Sequence, residues 1–297
     1  MADKRQRARI QGSWAGPSPA LKKVQGPVPT SKEGKVQTRP RPGPNPSAVS
    51  STNQVPKTAG FSGQSDCLQG TLTFTDTGIV RRIPEPKQIE RDGSYVISTE
   101  PNGEARITLT RNFLLPEEAD YVFAVLRDEI PWTQKRNTIQ GQEFDEPRLT
   151  CWYGEHPYAY SRVRWEANTE WHETLLYVKS RIEETTGFTF NSCLLNFYRS
   201  GKDHVSWHSD DEPALGSKPT IASVSLGDSR IFEMRKKPPP EENGDYTYME
   251  KLRIPLTHGS LLMMEGASQD DWQHQVPREY HDREARINLT FRTIHPS

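Results

Sequence analysis

Two short patterns in this sequence carry residue types suited to metal and anion chemistry. His208 and Asp210 form a His-x-Asp pair. In an extended segment residues i and i+2 share a face, so one cation can take a ligand from each. Two histidines and one carboxylate on one face of an octahedron leave adjacent positions open, which is the ligand set of non-haem Fe(II) oxygenases. A closed four-ligand zinc cage leaves none. The third ligand has to come from elsewhere in the chain. His274 is a candidate, in the turn-rich run Asp270-Asp271-Trp272-Gln273-His274 after a strand-like stretch. By composition alone His204, His258 and His281 are equally available, and a His-x-Asp pair also fits a hydrogen-bonded surface pair.

The second pattern is Arg286-Ile287-Asn288-Leu289-Thr290-Phe291-Arg292. As a strand it places Arg286, Asn288, Thr290 and Arg292 on one face and Ile287, Leu289 and Phe291 on the other. The apolar face is ordinary core. The polar face is costly to bury unless it meets an anion, and arginine pairs bidentately with carboxylates. The two arginines stand on the order of 20 Å apart along the strand. Twist and long side chains let both reach a five-carbon dicarboxylate from opposite ends. A polar strand facing solvent would read the same way. In Leu194-Leu195-Asn196-Phe197-Tyr198, residues Leu194, Asn196 and Tyr198 share a face. Asn and Tyr there supply hydrogen bonds to an anion without adding charge.

These residues need a scaffold. Ala105–Thr110 alternates like a strand, and Pro116 opens a helix with Glu117 and Glu118 in its first turn. Ala119, Val122, Phe123, Leu126 and Ile130 fall on one face of that helix. Asn168 or Thr169 is expected to cap a second helix, carrying Trp171, Leu175, Val178 and Ile182 and stopped by Gly187. Short strands are expected over 193–199, 220–226, 230–235, 252–256, 260–264 and 285–293. Gly227-Asp228-Ser229 suits a tight turn, and 238–245 a polar loop turning at Asn243-Gly244. Helices followed by a run of antiparallel strands suggest a mostly β fold, a jelly roll with flanking helices.

The chain has 297 residues, 33% apolar, a low share for a fully packed chain. Residues 1–60 carry 11 Lys and Arg against 2 Asp and Glu, leaving 27 against 37 for the rest. This Pro-, Gly- and Ser-rich stretch cannot bury enough apolar surface to order itself. We expect a disordered basic arm over 1–65 and one folded domain over 66–297. Lys4-Arg5-Gln6-Arg7-Ala8-Arg9 suits nuclear import or a phosphate contact. The 3 cysteines have no CxxC spacing, which argues against a zinc ribbon or a disulfide framework and for a reducing compartment. No apolar leader or run long enough to span a membrane is apparent.

Taken in order, Asn196-x-Tyr198, His208-x-Asp210, His274 and Arg286-x-Asn288-x-Thr290-x-Arg292 resemble the AlkB family of nucleic-acid demethylases, over roughly residues 70–295. The stretches 207–213 and 233–246 are similar to one vertebrate branch of it. The resemblance implies a double-stranded β-helix with Fe(II) on His208, Asp210 and His274. It implies 2-oxoglutarate and O2 as co-substrates. Asn196 and Arg292 would hold the carboxylate near the metal, Tyr198 and Arg286 the far one, with Asn288 in the same set. The implied reaction is oxidative demethylation of 1-methyladenine and 3-methylcytosine in single-stranded DNA and RNA, releasing formaldehyde. Tyr160 matches the position that stacks on the base, opposite His208. Both lesions are cationic, and Asp211 and Glu212 can offset that charge, or simply form a solvated acidic turn. The family's lid often carries basic residues at its tip; here it reads Asn137-Thr138-Ile139-Gln140-Gly141-Gln142-Glu143. Phosphate contacts then fall to the arm or to a groove including Arg148, Arg162, Arg164 and Lys202. The resemblance also implies a nuclear and cytoplasmic enzyme working with a helicase that supplies single strands. Two alternatives are a non-catalytic single-strand-binding scaffold and a dioxygenase acting on protein or lipid.

Overall fold

The computed structural model describes residues 81–139, 142–160 and 163–296, so the expected basic arm lies outside the described residues. Strands β1 (Lys87–Gln88), β2 (Gly93–Ser98) and β3 (Ala105–Thr110) lead into helix α1 (Pro116–Glu129). As the sequence predicts, α1 starts at its proline, and the Glu118 carboxylate accepts from Leu115 N–H at 3.3 Å. Its buried stripe is Ala119, Val122 and Leu126. Next come β4 (Arg136–Ile139), β5 (Gln142–Asp145), β6 (Leu149–Gly154), β7 (Tyr158–Tyr160) and β8 (Val163–Trp165).

Helix α2 (Glu173–Thr186) starts later than expected. Its cap is His172, whose Nδ1 accepts from Thr174 N–H at 3.2 Å, not Asn168 or Thr169. Asn168 is still paired with Gly154 through two backbone hydrogen bonds of 2.9 and 3.0 Å, so the chain cannot turn helical there. Gly187 closes the helix at φ 77°, a left-handed conformation that glycine adopts without strain.

The remaining strands are β9 (Ser192–Tyr198), β10 (Val205–His208), β11 (Ile221–Gly227), β12 (Arg230–Lys236), β13 (Lys251–Leu256), β14 (Ser260–Gly266), β15 (Trp272–Val276) and β16 (Arg286–Arg292). The six strands expected in this half are all present, with ends shifted by a residue or two. His274 was expected in a turn-rich run but lies inside β15. Its neighbours Trp272 and Val276 are buried on the same face, and that alternation outweighs the turn-prone residues before it.

The strands form two main sheets, ordered β1-β13-β12-β15-β10 and β2-β3-β14-β11-β16-β9-β6. The second packs one face on α1 and α2, where Val122, Leu126, Leu175 and Ile182 meet Val224, Leu289 and Phe291. At its other face Ile107, Leu109, Leu262 and Met264 join Phe232, Met234, Ile254 and Trp272 of the first sheet in a second core. The result is a mostly β double-sheet jelly roll. β16 is central in its sheet, and all seven of its residues are buried. Its apolar residues face the helices, and its polar residues are left facing the space between the sheets.

Candidate active site

The space between the sheets is lined by Asn196 and Tyr198 from β9, His208 from β10, His274 from β15, and Arg286, Asn288, Thr290 and Arg292 from β16, with Asp210 just past β10. The expected metal and anion residues therefore converge on one pocket. His208 and His274 are direct cross-strand partners, with ring centroids 4.2 Å apart. One ligand atom each from His208, Asp210 and His274 lies within 4.8 Å of the others, and no other such group of metal-binding side chains occurs among the described residues. His204, His258 and His281 belong to no such group.

Hydrogen bonds orient two of the three, and ring packing orients the third. His208 Nδ1 lies 2.7 Å from the Ser206 carbonyl, so it carries the proton and leaves Nε2 for a metal. Asp210 is held from behind: Arg292 donates from Nε (3.0 Å) and Nη2 (2.6 Å) to its Oδ2. Its own N–H donates to Gln269 Oε1 at 3.0 Å. The other carboxylate oxygen, Oδ1, sits 3.9 Å from His208 Nε2. The His274 ring packs on Phe232, with centroids 5.1 Å apart.

The electrostatics prepare these groups for a divalent cation. Burial pushes both histidines down, His274 to about 3, where the His208 charge adds to the effect. For Asp210 burial acts upward, but Arg292, His274 and His208 outweigh it and bring the carboxyl down to about 2. Two neutral imidazoles and one carboxylate are the protonation states a metal requires. Adding Mn(II) should raise the melting temperature of the protein by about 5–10 °C at a hundredfold excess over Kd. His274→Ala should remove that rise; a variant that melts with the same metal-dependent gain would exclude His274 as a ligand.

The anion side of the pocket is less satisfied. Arg286 is 1% exposed. Its Nη2 donates to Ser225 Oγ at 2.9 Å, while Nε and Nη1 have no hydrogen-bond partner. Arg292 Nη1 is likewise unpartnered. Buried cationic donors without acceptors are costly, and a bound carboxylate removes the cost. Asn288 is already committed: its Nδ2 donates to Ser223 Oγ and the Val224 carbonyl, and its Oδ1 accepts from Thr290. Asn196 Oδ1 accepts from Arg148 Nε at 2.9 Å, which leaves its amide nitrogen to donate into the pocket. The donor sets thus fit one divalent metal and one dicarboxylate.

The rim residues divide. Glu212 is half-buried, and burial together with the Asp210 charge pushes its carboxyl up to about 7. Asp211 is exposed and stands 3.6 Å from Lys237, outside the pocket lining. Tyr160 closes β7. Arg148 corrects the expected phosphate groove: it is 5% exposed, wedged between Asn196 and Glu146, and lines the pocket. Lys202 and Arg164 are exposed, the latter paired with Glu166; Arg162 lies outside the described residues. Tyr158 was not singled out from sequence, yet it lines the pocket and stacks on Trp152 (4.7 Å), with Trp165 (5.9 Å) completing a cluster of three rings. Arg148 stands two residues from the buried Thr150, and that alternation was the available signal for it.

The profile of the 2OG-Fe(II) oxygenase superfamily matches residues 106–292. A Bos taurus protein named alpha-ketoglutarate-dependent dioxygenase alkB homolog 3 is 50% identical over 297 residues, covering 100% of this chain and 98% of its own length. The chain belongs to the AlkB family of 2OG-Fe(II) oxygenases. The Homo sapiens protein of the same name is 48% identical, again over 100% of this chain and 98% of its own. A second AlkB-family protein, the Homo sapiens DNA oxidative demethylase ALKBH2, is 34% identical over 60% of this chain and 69% of its own. This AlkB-family enzyme is thus an Fe(II)- and 2-oxoglutarate-dependent dioxygenase, and the pocket between its sheets has the ligand chemistry such an enzyme needs.

Proposed function

We propose that the enzyme oxidatively demethylates N-alkylated bases, 1-methyladenine and 3-methylcytosine, in single-stranded DNA and RNA. The observation that carries this reading is a pair of unsatisfied polar atoms at the pocket rim. The Tyr158 hydroxyl and the Glu212 carboxylate approach each other there, and neither makes a well-formed hydrogen bond though both atoms are buried. A methylated base entering methyl-first presents its exocyclic nitrogen to such a pair. Tyr158 lines the pocket from a buried aromatic cluster that holds its hydroxyl in place, and a cationic base gains from the Glu212 carboxylate beside it. Tyr160 is the further stacking candidate, and Asp211 adds negative charge outside the rim.

His208, Asp210 and His274 hold the iron. Asn196 and Arg292 meet the carboxylate of 2-oxoglutarate beside it, Tyr198 and Arg286 the far one, and Asn288 ties β16 to β11 through Ser223 and Val224. Once bound, these groups supply the oxidation, with O2, that turns an N-methyl group into formaldehyde. The protein's own contribution is orientation: Arg292 fixes Asp210, Arg148 fixes Asn196, and Glu212 with Tyr158 fix the base. Preference for single strands is supported by the β4–β5 hairpin. Its Arg136 is paired at 3.1 Å with Asp145 and at 3.5 Å with Glu143, leaving little free positive charge to grip a duplex. A helicase supplying single strands is the partner such a preference would call for.

Formaldehyde release from 1-methyladenine and 3-methylcytosine, in single- and double-stranded DNA and RNA, tests the proposal directly. Release from neither base in any strand form, with the iron and co-substrate loaded, would reject it. Glu212→Gln should raise the KM for methylated oligonucleotide on the order of tenfold, the loss of a charge-assisted hydrogen bond. The 2-oxoglutarate requirement should stay put. A change confined to the 2-oxoglutarate requirement would move Glu212 out of base recognition.

A further inference from the structure

Behind Tyr198, outside the pocket lining, lies another buried guanidinium that the co-substrate set above does not use. Arg230, the first residue of β12, is 1% exposed. Its Nη1 donates to the Ser200 carbonyl at 3.4 Å, and its Nη2 to the carbonyls of Asp203 (3.1 Å) and Pro277 (2.5 Å). Its Nε donates to Glu279 at 3.2 Å. Its guanidinium lies 5.8 Å from the centre of the Tyr198 ring, and that of Arg286 lies 5.1 Å from the same ring. Two buried cations therefore share one tyrosine.

The charges around them do not balance. Glu279 is shared: Arg283 Nε also donates to it, at 2.5 Å. Arg283 itself reaches Asp228 only at 3.8 Å. Arg286 has no carboxylate within ion-pair distance among the described residues. Two buried guanidiniums, Arg230 and Arg286, thus have one nearby carboxylate, Glu279, on which the part-exposed Arg283 also draws, in a place where solvent screening is weak. Arg230 also ties the turn after Tyr198 to the segment after β15, so it holds the Tyr198 phenol in place as well as adding charge.

We propose that Arg230 is a positioning residue for the far carboxylate of 2-oxoglutarate and makes this end of the pocket selective for dicarboxylates over monocarboxylates. This rests on Tyr198 and Arg286 receiving that carboxylate. The test compares 2-oxoglutarate with 2-oxopentanoate, which has the same chain length but ends in a methyl group. Heats of binding of each to the Mn(II)-loaded full chain give the preference without turnover.

Arg230→Met should weaken 2-oxoglutarate on the order of tenfold, the effect of removing one nearby buried charge. Binding of 2-oxopentanoate should change less than about twofold, and Arg230→Lys should keep most of the preference. Equal weakening of both ligands would mean that Arg230 only holds the fold together, and an unchanged preference would mean it plays no part; either overturns the proposal. Should Arg230→Met fail to fold, Glu279→Gln decides. Removing the shared negative charge while keeping an acceptor for Arg230 should increase the preference, and no increase overturns the proposal. Arg286→Met, run alongside, separates the two assignments. If it keeps the preference, the carboxylate anchor itself is misplaced; if it alone loses the preference, only the role of Arg230 falls.

Discussion

Asp210→Ala should abolish turnover and destabilise the protein at the same time. The loss of activity follows from removing the only carboxylate of the three metal ligands. The destabilisation follows from what stands behind it. Arg292, 4% exposed, directs two of its donors at Asp210 Oδ2. Taking the carboxylate away strands that guanidinium in the interior, a cost of about 3–5 kcal/mol, and a fall in melting temperature on the order of 10 °C. Asp210→Asn keeps an oxygen that can accept from Arg292 and should recover part of the stability but none of the activity. Formaldehyde release and thermal melting on the two variants check this. Appreciable turnover by Asp210→Ala at ordinary iron concentration would refute the ligand set.

Arg286→Ala should behave in the opposite way. Its activity should be lost at low 2-oxoglutarate and return as the co-substrate is raised, with KM for 2-oxoglutarate increased about ten- to a hundredfold. Stability without co-substrate should suffer much less than in Asp210→Ala. Arg286 makes a single hydrogen bond, to Ser225, and carries two unsatisfied donors. The protein bears a cost for keeping that charge buried, and it recovers the cost only when an anion arrives. A steady-state series in 2-oxoglutarate decides: an unchanged KM would place the far carboxylate elsewhere.

The contrast between the two arginines also marks what the sequence could and could not reveal. Both were visible as residues of one strand face, because period-2 alternation with Ile287, Leu289 and Phe291 leaves no other arrangement. That Arg292 serves a metal ligand while Arg286 stands unpaired was not visible, since Asp210 lies 82 positions away. The helices were legible from their apolar stripes, and the late start of α2 was not, because the Asn168–Gly154 pairing is a long-range contact. His274 could not be chosen over its rivals from spacing. Its ring reaches His208 and Asp210 because β15 pairs with β10, and strand pairing is a tertiary fact. Arg148 was misjudged as a surface cation for the same reason: its partners Asn196 and Glu146 are brought to it by the β6–β9 pairing and a local turn.

The pairing of β10 with β15 has a consequence for how such a sequence can drift. His208 stands opposite His274 across a ladder whose neighbouring positions are Gln273 and Gln275. Inserting one residue ahead of His274 within β15 would turn its ring to the outside and bring a glutamine inward. An insertion in the connection 277–285 would leave His274 where it is, since the change is absorbed before β16 begins. Length variation among relatives should therefore gather in the connections between ligand-bearing strands, while the count of residues inside β10, β15 and β16 stays constant. The motifs are short because each is only as long as the strand that must not slip.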